Sequence, residues 1–118
     1  MQNELIPDER DVQRTVLDWL TAHRIWHRRM NSGAMVLEHH GKKRLLRAGS
    51  PGMADILATL PFVQGSGNPA QPIWLEIKRP GGRQSDAQRE FEREVVAAGH
   101  IYAVIQDVNQ LAILFQER

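Results

Sequence analysis

Apolar positions recur with two periods along the chain. Val12, Val16, Trp19 and Leu20 fall at i, i+4, i+7 and i+8, which places them on one face of a helix running from residue 8 to about 23. Asp8 suits the N-cap, with acidic residues in the first turn. A short strand over residues 25–30 follows, then the turn signal Asn31-Ser32-Gly33. Residues 35–46 alternate weakly around Gly41 and read as an exposed β-hairpin bending near Gly41-Lys42. The breaker run Gly49-Ser50-Pro51-Gly52 leads into a strand over 54–60, with Ala54, Ile56, Ala58 and Leu60 on one face and Asp55, Leu57 and Thr59 on the other. Residues 64–72 form a polar Gly/Pro loop, and 73–78 the next strand. Ser85-Asp86-Ala87-Gln88 fits a capping box opening a helix, with Phe91, Val95 and Ala98 as its apolar stripe and Gly99 as its stop. Residues 101–105 read as a buried strand. Asp107 either caps a last short helix or turns the chain into residues 111–115. The order, helix, strand, hairpin, two strands, helix, strand, helix, predicts a small α/β sandwich.

Length fits one domain over residues 1–118, and no repeat or low-complexity tract interrupts it. No apolar run is long enough for a bilayer span, and the first ten residues lack a signal-peptide pattern, so a cytoplasmic protein with no membrane partner is expected. Absence of cysteine excludes disulfides and thiolate metal sites. A net charge of +1 hides strong asymmetry. Between His23 and Ser50 lie Arg24, Arg28, Arg29, Lys42, Lys43, Arg44 and Arg47 against Glu38 alone, 7 − 1 = +6, leaving the remainder near −5. Such a segment is the footprint of a phosphate-binding surface. Four of the five histidines sit there too. His23 and His27 are separated by a change of secondary structure, and His39 and His40 are adjacent on a presumed strand, so neither pair suits one ion. A phosphate-contacting role beside Lys42, Lys43 and Arg44 fits the second pair better.

The candidate chemistry lies in the strands. Glu76 and Lys78 are two apart within an apolar run and share a face. Asp55 is the isolated acid of the strand before it. If the two strands pair, Asp55 and Glu76 meet at one end of the sheet. Two carboxylates and a backbone carbonyl are hard oxygen ligands that suit Mg²⁺ or Mn²⁺. Taken singly, each residue has a plain solvated-surface or turn role. The set Asp55, Glu76 and Lys78, each on an expected strand, is more specific.

These residues carry a resemblance. GSPGMADIL (49–57), WLEIKRPGGRQSDAQREF (74–91) and AGHIYAVIQDVNQL (98–111), with ERDVQRTVLDWL (9–20) and WHRRMNSG (26–33), resemble the PD-(D/E)xK nuclease superfamily. The closer resemblance is to its virus-type replication-repair nuclease (VRR-NUC) branch, over nearly the whole chain apart from residues 64–72. Ala54 departs from the proline of the superfamily name. The resemblance implies a restriction-endonuclease-like domain, a central mixed sheet flanked by helices with an αβββαβ core. It implies a Mg²⁺- or Mn²⁺-dependent DNA endonuclease. Asp55 and Glu76 would be metal ligands with the Ile77 carbonyl, Lys78 the catalytic lysine, and Gln88 a residue lining the site unless it serves only the capping box. The first-helix acid, a further metal ligand, falls on Glu9 or Asp11, and Gln13 faces the same way. Arg28, Arg29, Asn31, Lys42, Lys43, Arg44 and Arg47 are expected to bind DNA. A stand-alone member of this type, from a phage or prophage and acting in the bacterial or infected host cytoplasm, is expected to form a homodimer and to cut branched DNA such as Holliday junctions. Trp19, Trp26 and residues 111–115 serve either the core or that dimer. The alternatives are a flap or nicking endonuclease, a sequence-specific restriction enzyme, and a DNA-binding module without catalysis.

Overall fold

A computed structural model describes residues 6–30, 34–47 and 50–116. Among these residues nine elements follow one another: α1 (Glu9–Ala22), β1 (His27–Arg29), β2 (Ala34–His39), β3 (Lys42–Arg47), β4 (Ile56–Leu60), β5 (Gln71–Ile77), α2 (Asp86–Ala97), β6 (Ile101–Ile105) and α3 (Val108–Gln116). Four strands form a mixed sheet in the order β1-β4-β5-β6, and β2 and β3 form a separate ribbon. β1, β4 and β5 pair antiparallel, whereas β5 and β6 are parallel. A parallel pair needs a crossover, and α2 provides it. The chain is thus mixed α/β.

Alternation along β4 and β5 sorts the core into two layers. Ile56, Ala58, Leu60, Ile73, Leu75 and Ile77 pack with Val12, Val16 and Leu20 of α1 and Leu111 of α3. On the opposite face Trp74 packs with Phe91 and Val95 of α2, joined by Ala54, which precedes β4 and so does not share the face of Ile56, Ala58 and Leu60 that the sequence alternation assigns it. Trp19, Leu114 and Phe115 pack against the first cluster, so the core accounts for them, whereas Trp26 is 50% exposed. Ala98 is the exposed C-cap of α2 and contributes nothing to its apolar stripe. Among the described residues no helix is long and apolar enough to cross a membrane.

Both long helices are set by reciprocal caps. In α1 the Asp8 carboxylate accepts from the Asp11 N–H at 2.8 Å, and Asp11 accepts from the Asp8 N–H at 3.3 Å. In α2, Ser85 Oγ accepts from the Gln88 N–H at 3.1 Å and Gln88 Oε1 from the Ser85 N–H at 2.8 Å. Each box satisfies two N–H groups that a helix start leaves without partners.

The ribbon bends at His40-Gly41, where φ is 52° and 75°, between the register pair His39 and Lys42. Two successive positive φ values define the two-residue turn whose twist matches a hairpin. His40 is therefore a turn residue, not a strand residue as its neighbour His39 is. The bounds of β4 and β5 also differ from the sequence reading. Asp55 lies just before β4 and Lys78 just after β5, while β5 begins at Gln71. The sheet still extends past those ends, because Met30 N–H donates to the Asp55 carbonyl at 2.8 Å and Lys78 N–H to the Ile105 carbonyl at 3.0 Å.

Candidate active site

The register of β4 on β5 sets Ile56 opposite Leu75, and one step further it brings Asp55 beside Glu76. Asp55 Oδ2 accepts from the Ile77 N–H at 2.7 Å, which fixes its carboxylate across the end of the sheet. Glu76 is 1% exposed and Asp55 9%. Two buried neighbouring carboxylates resist ionising together, since each charge loses water and faces the other. Burial raises the Asp55 carboxyl above its ordinary range, partly offset by the Ile77 N–H. Glu76 is pushed up to about 8, first by burial and then by the charge of Asp55.

The surroundings of Glu76 are lopsided. Gln88 Nε2 donates to Glu76 Oε1 at 2.8 Å, and Lys78 Nζ stands 3.7 Å from the same oxygen. Glu76 Oε2 is buried and, among the described residues, has no hydrogen-bond partner. A buried carboxylate oxygen without a donor is costly unless the pair keeps a proton, as it does while Glu76 is protonated, or a cation meets it. The hard oxygens of Asp55 and Glu76 therefore suit a divalent ion at Oε2. No third His, Cys, Asp or Glu joins them as a ready-made cluster among the described residues. Glu9 is a further candidate, since its charge also acts on Glu76.

Gln88 holds two roles with one amide. Its oxygen closes the α2 capping box and its nitrogen reaches Glu76, so the cap aims the side chain at the site. Gly52 keeps that geometry close. Its φ is +77°, and a Cβ there would overlap the Ala87 carbonyl and come within 2.9 Å of the Gln88 nitrogen. The loop before Asp55 thus rests directly on the first turn of α2. Nothing local in the sequence marks this contact beyond the glycine itself.

At the first helix the structure separates the two acids. Asp11 is exposed, closes the α1 cap and pairs with Arg14 at 3.4 Å. Glu9 instead lines an open cavity of about 520 Å³ with Asp8, Arg10, Gln13 and Arg29. Arg29, opposite Ile56 in the register, is close enough for its charge to lower the Asp55 carboxyl. Arg28 is not gathered there. It donates to the His27 carbonyl at 2.8 Å and its guanidinium lies 5.1 Å from the Trp26 ring centroid. Lys42 and Lys43 are exposed beside the ribbon turn, and Glu38 pairs with Lys43 in the register. The backbones of Arg44 and Arg47 belong to β3, but their side chains, and all of Asn31, lie outside the described residues. Of the remaining histidines, His23 stacks on Trp19 at 3.8 Å, and His27 Nδ1 is 2.8 Å from the Ile25 carbonyl.

Behind the site, α2 is anchored by aromatic contacts. Trp74 meets Phe91 edge-on at 5.0 Å between centroids, and its Nε1–H donates to His100 Nδ1 at 2.9 Å. Gln84 Nε2 donates to both Glu92 and the Tyr102 hydroxyl, whose own ionisation burial pushes up to about 12.

Set against models of known protein families, curated proteins and solved structures, the chain matches none.

Proposed function

We propose that this chain is a metal-dependent, structure-specific DNA endonuclease of the VRR-NUC type, with the restriction-endonuclease-like fold, hydrolysing phosphodiester bonds in branched DNA. The observation that carries the reading is the buried Asp55–Glu76 pair, with Glu76 Oε2 unpartnered and Lys78 beside it. Once both are ionised the two buried acids destabilise each other, and a binding module or a structural domain gains nothing from that. The arrangement of α1, three strands, α2 and β6 around one mixed sheet supports the fold.

In this reading Asp55, Glu76 and the Ile77 carbonyl hold Mg²⁺ or Mn²⁺, with Glu9 as a further ligand. Such an ion, when bound, lowers the pKa of water and offsets phosphodiester charge. Lys78 orients the attacking water or offsets the anion that develops on the phosphate. Gln88 holds Glu76 by Oε1 and so leaves Oε2 for the ion. The exposed ribbon with Lys42 and Lys43 contributes sequence-independent phosphate contacts. A four-way junction needs two symmetric cuts, and one chain carries one such site, so the working form is a homodimer with twofold symmetry. The setting is the cytoplasm of a bacterial or phage-infected cell.

The test is a panel of linear, flap, splayed and four-way DNA substrates, each incubated with Mg²⁺, Mn²⁺ or EDTA. Metal-dependent cutting that favours four-way junctions is expected, with the free protein sedimenting as a dimer. Preference for flaps or a single nick would replace junction resolution by flap or nicking repair. Cutting of linear duplex at one sequence would point to a restriction enzyme. Tight DNA binding without cutting in either metal would leave the inactive module.

A further inference from the structure

The cavity lined by Glu9 contains a pairing, Gln13 with Arg29, that the spacing in the sequence does not encode. Gln13 lies on α1 and Arg29 on β1, 29 − 13 = 16 residues apart, and the packing of α1 across the sheet brings them together. Turned with its oxygen toward Arg29, the Gln13 amide accepts from Nε at 3.2 Å and Nη2 at 3.1 Å. The opposite orientation sets N–H against N–H. One edge of the guanidinium is thus gripped. The other edge, Nη1 with the second hydrogen of Nη2, makes no hydrogen bond among the described residues.

The identity of the gripping residue matters. Arg14, Arg89 and Arg93 each meet a carboxylate three residues away, Asp11, Asp86 and Glu90 in turn, and their charges are locally balanced. Arg29 is held by a neutral amide. A glutamine fixes the fork's direction as a glutamate would, but brings no negative charge of its own against it. A planar, oriented guanidinium with a free edge is the geometry that takes a phosphate in bidentate fashion. It stands on an open cavity of about 520 Å³, next to Asp55, whose carboxyl it already influences. Of the other lining residues, Asp8 is occupied by the α1 cap and Glu9 acts on Glu76, while Arg10 adds a second positive charge.

We propose that Gln13 and Arg29 form a phosphate subsite, in which Arg29 binds a DNA backbone phosphate neighbouring the one that is cut and Gln13 is the positioning residue that aims it. The proposal rests on the nuclease reading for its place relative to the cut, but its binding part is measured without catalysis.

Binding of a fluorescein-labelled four-way junction is followed by anisotropy in EDTA over a range of salt, for the native chain, Arg29→Ala, Arg29→Lys, Gln13→Ala and Gln13→Glu. Loss of Arg29 should weaken binding at least roughly 10-fold and lower the salt slope by about 0.9 for each bound subunit, the value of one phosphate contact, hence about 1.8 for a junction held by the dimer. Gln13→Glu should match Arg29→Ala, because the new carboxylate cancels the charge. Gln13→Ala should keep the slope and lose less affinity, since the charge persists without its aim. Arg29→Lys should not restore full affinity. A merely structural role would make Gln13→Ala at least as damaging as Gln13→Glu, and that order overturns the proposal, as does a salt slope unchanged in Arg29→Ala. Under cutting conditions, single methylphosphonates are walked along the cleaved strand. One position beside the cut should raise KM in the native chain and have no further effect in Arg29→Ala. If no metal supports cutting but the binding results hold, the subsite stands and the catalytic reading falls. If cutting occurs and Gln13→Glu alters neither slope nor KM, the subsite falls alone.

Discussion

Replacing Glu76 by glutamine should make the metal-free protein more stable at pH 8 and leave it no more stable at pH 4. Glu76 titrates at about 8 in the folded chain, against 4.5 for an ordinary glutamate, because burial and Asp55 disfavour its charge. Below pH 4.5 both folded and unfolded chains hold the proton, and the group costs nothing. As pH rises from 4.5 to about 8 the unfolded chain releases the proton while the folded chain retains it. Stability therefore falls across that window, with a slope on the order of 1 kcal/mol per pH unit and a total on the order of 5 kcal/mol. Asp55 is coupled to the same titration, so the measured loss belongs to the pair. Glutamine does not titrate. Its oxygen still accepts from Gln88, and its N–H group stands where the unpartnered Oε2 was, beside Asp55. Urea denaturation in EDTA, monitored by circular dichroism from pH 4 to 9, should show the native chain losing stability and the variant staying nearly flat. Millimolar Mn²⁺ should restore the native chain most at high pH, by about 2.7 kcal/mol at one hundred times Kd, and should do little for the variant. A native chain whose stability is level between pH 5 and 8, or a variant that falls in parallel with it, would refute the buried-pair argument.

Three other perturbations follow from the same geometry. Gly52→Ala combines a positive φ with overlap on the Ala87 carbonyl, so thermal melting should reveal a loss of at least about 2 kcal/mol; a variant that melts within a degree of the native chain would contradict the close approach. Lys78→Ala should abolish cutting of a four-way junction in Mn²⁺ while anisotropy still reports binding, and persistent cutting would reassign the site. Neutralising Lys42, Lys43 and Arg44 together should weaken binding to all DNA alike and reduce the salt slope by about 2 to 3 for each bound subunit; an unchanged slope would move the phosphate surface off the ribbon.

How far these features can be read from the chain depends on the range of the interaction that makes them. Both capping boxes are local, and the signals at Asp8 and Ser85-x-x-Gln88 locate their helix starts within a residue. The hairpin bend at Gly41 is likewise local. The start of β5 is less legible because Pro72 argues against a strand. In the sheet Pro72 faces Thr59 of β4, while the pairing with β6 begins only at Ile73, so the edge that lacks an N–H has no neighbour to satisfy. The opposite ends of β4 and β5 are misjudged for another reason. Asp55 and Lys78 continue the ladder through single backbone bonds to Met30 and Ile105, from strands distant in sequence.

The same distinction explains the site. Asp55 and Glu76 are findable because antiparallel pairing of consecutive strands converts spacing into contact. Gln13 with Arg29, and Gly52 with Ala87, depend on how a helix crosses the sheet, and no spacing encodes that. Gln88 stands between the two cases. Its capping role is written in the sequence, and the capping geometry then sends the spare half of its amide to Glu76. The local signal that looks sufficient to explain Gln88 structurally is therefore the device that delivers it to the carboxylates. Removing its side chain must loosen α2 and release Glu76 together. Only a change that spares the cap oxygen, Gln88→Glu, separates the two effects: helix stability should persist while a third carboxylate is set against Glu76.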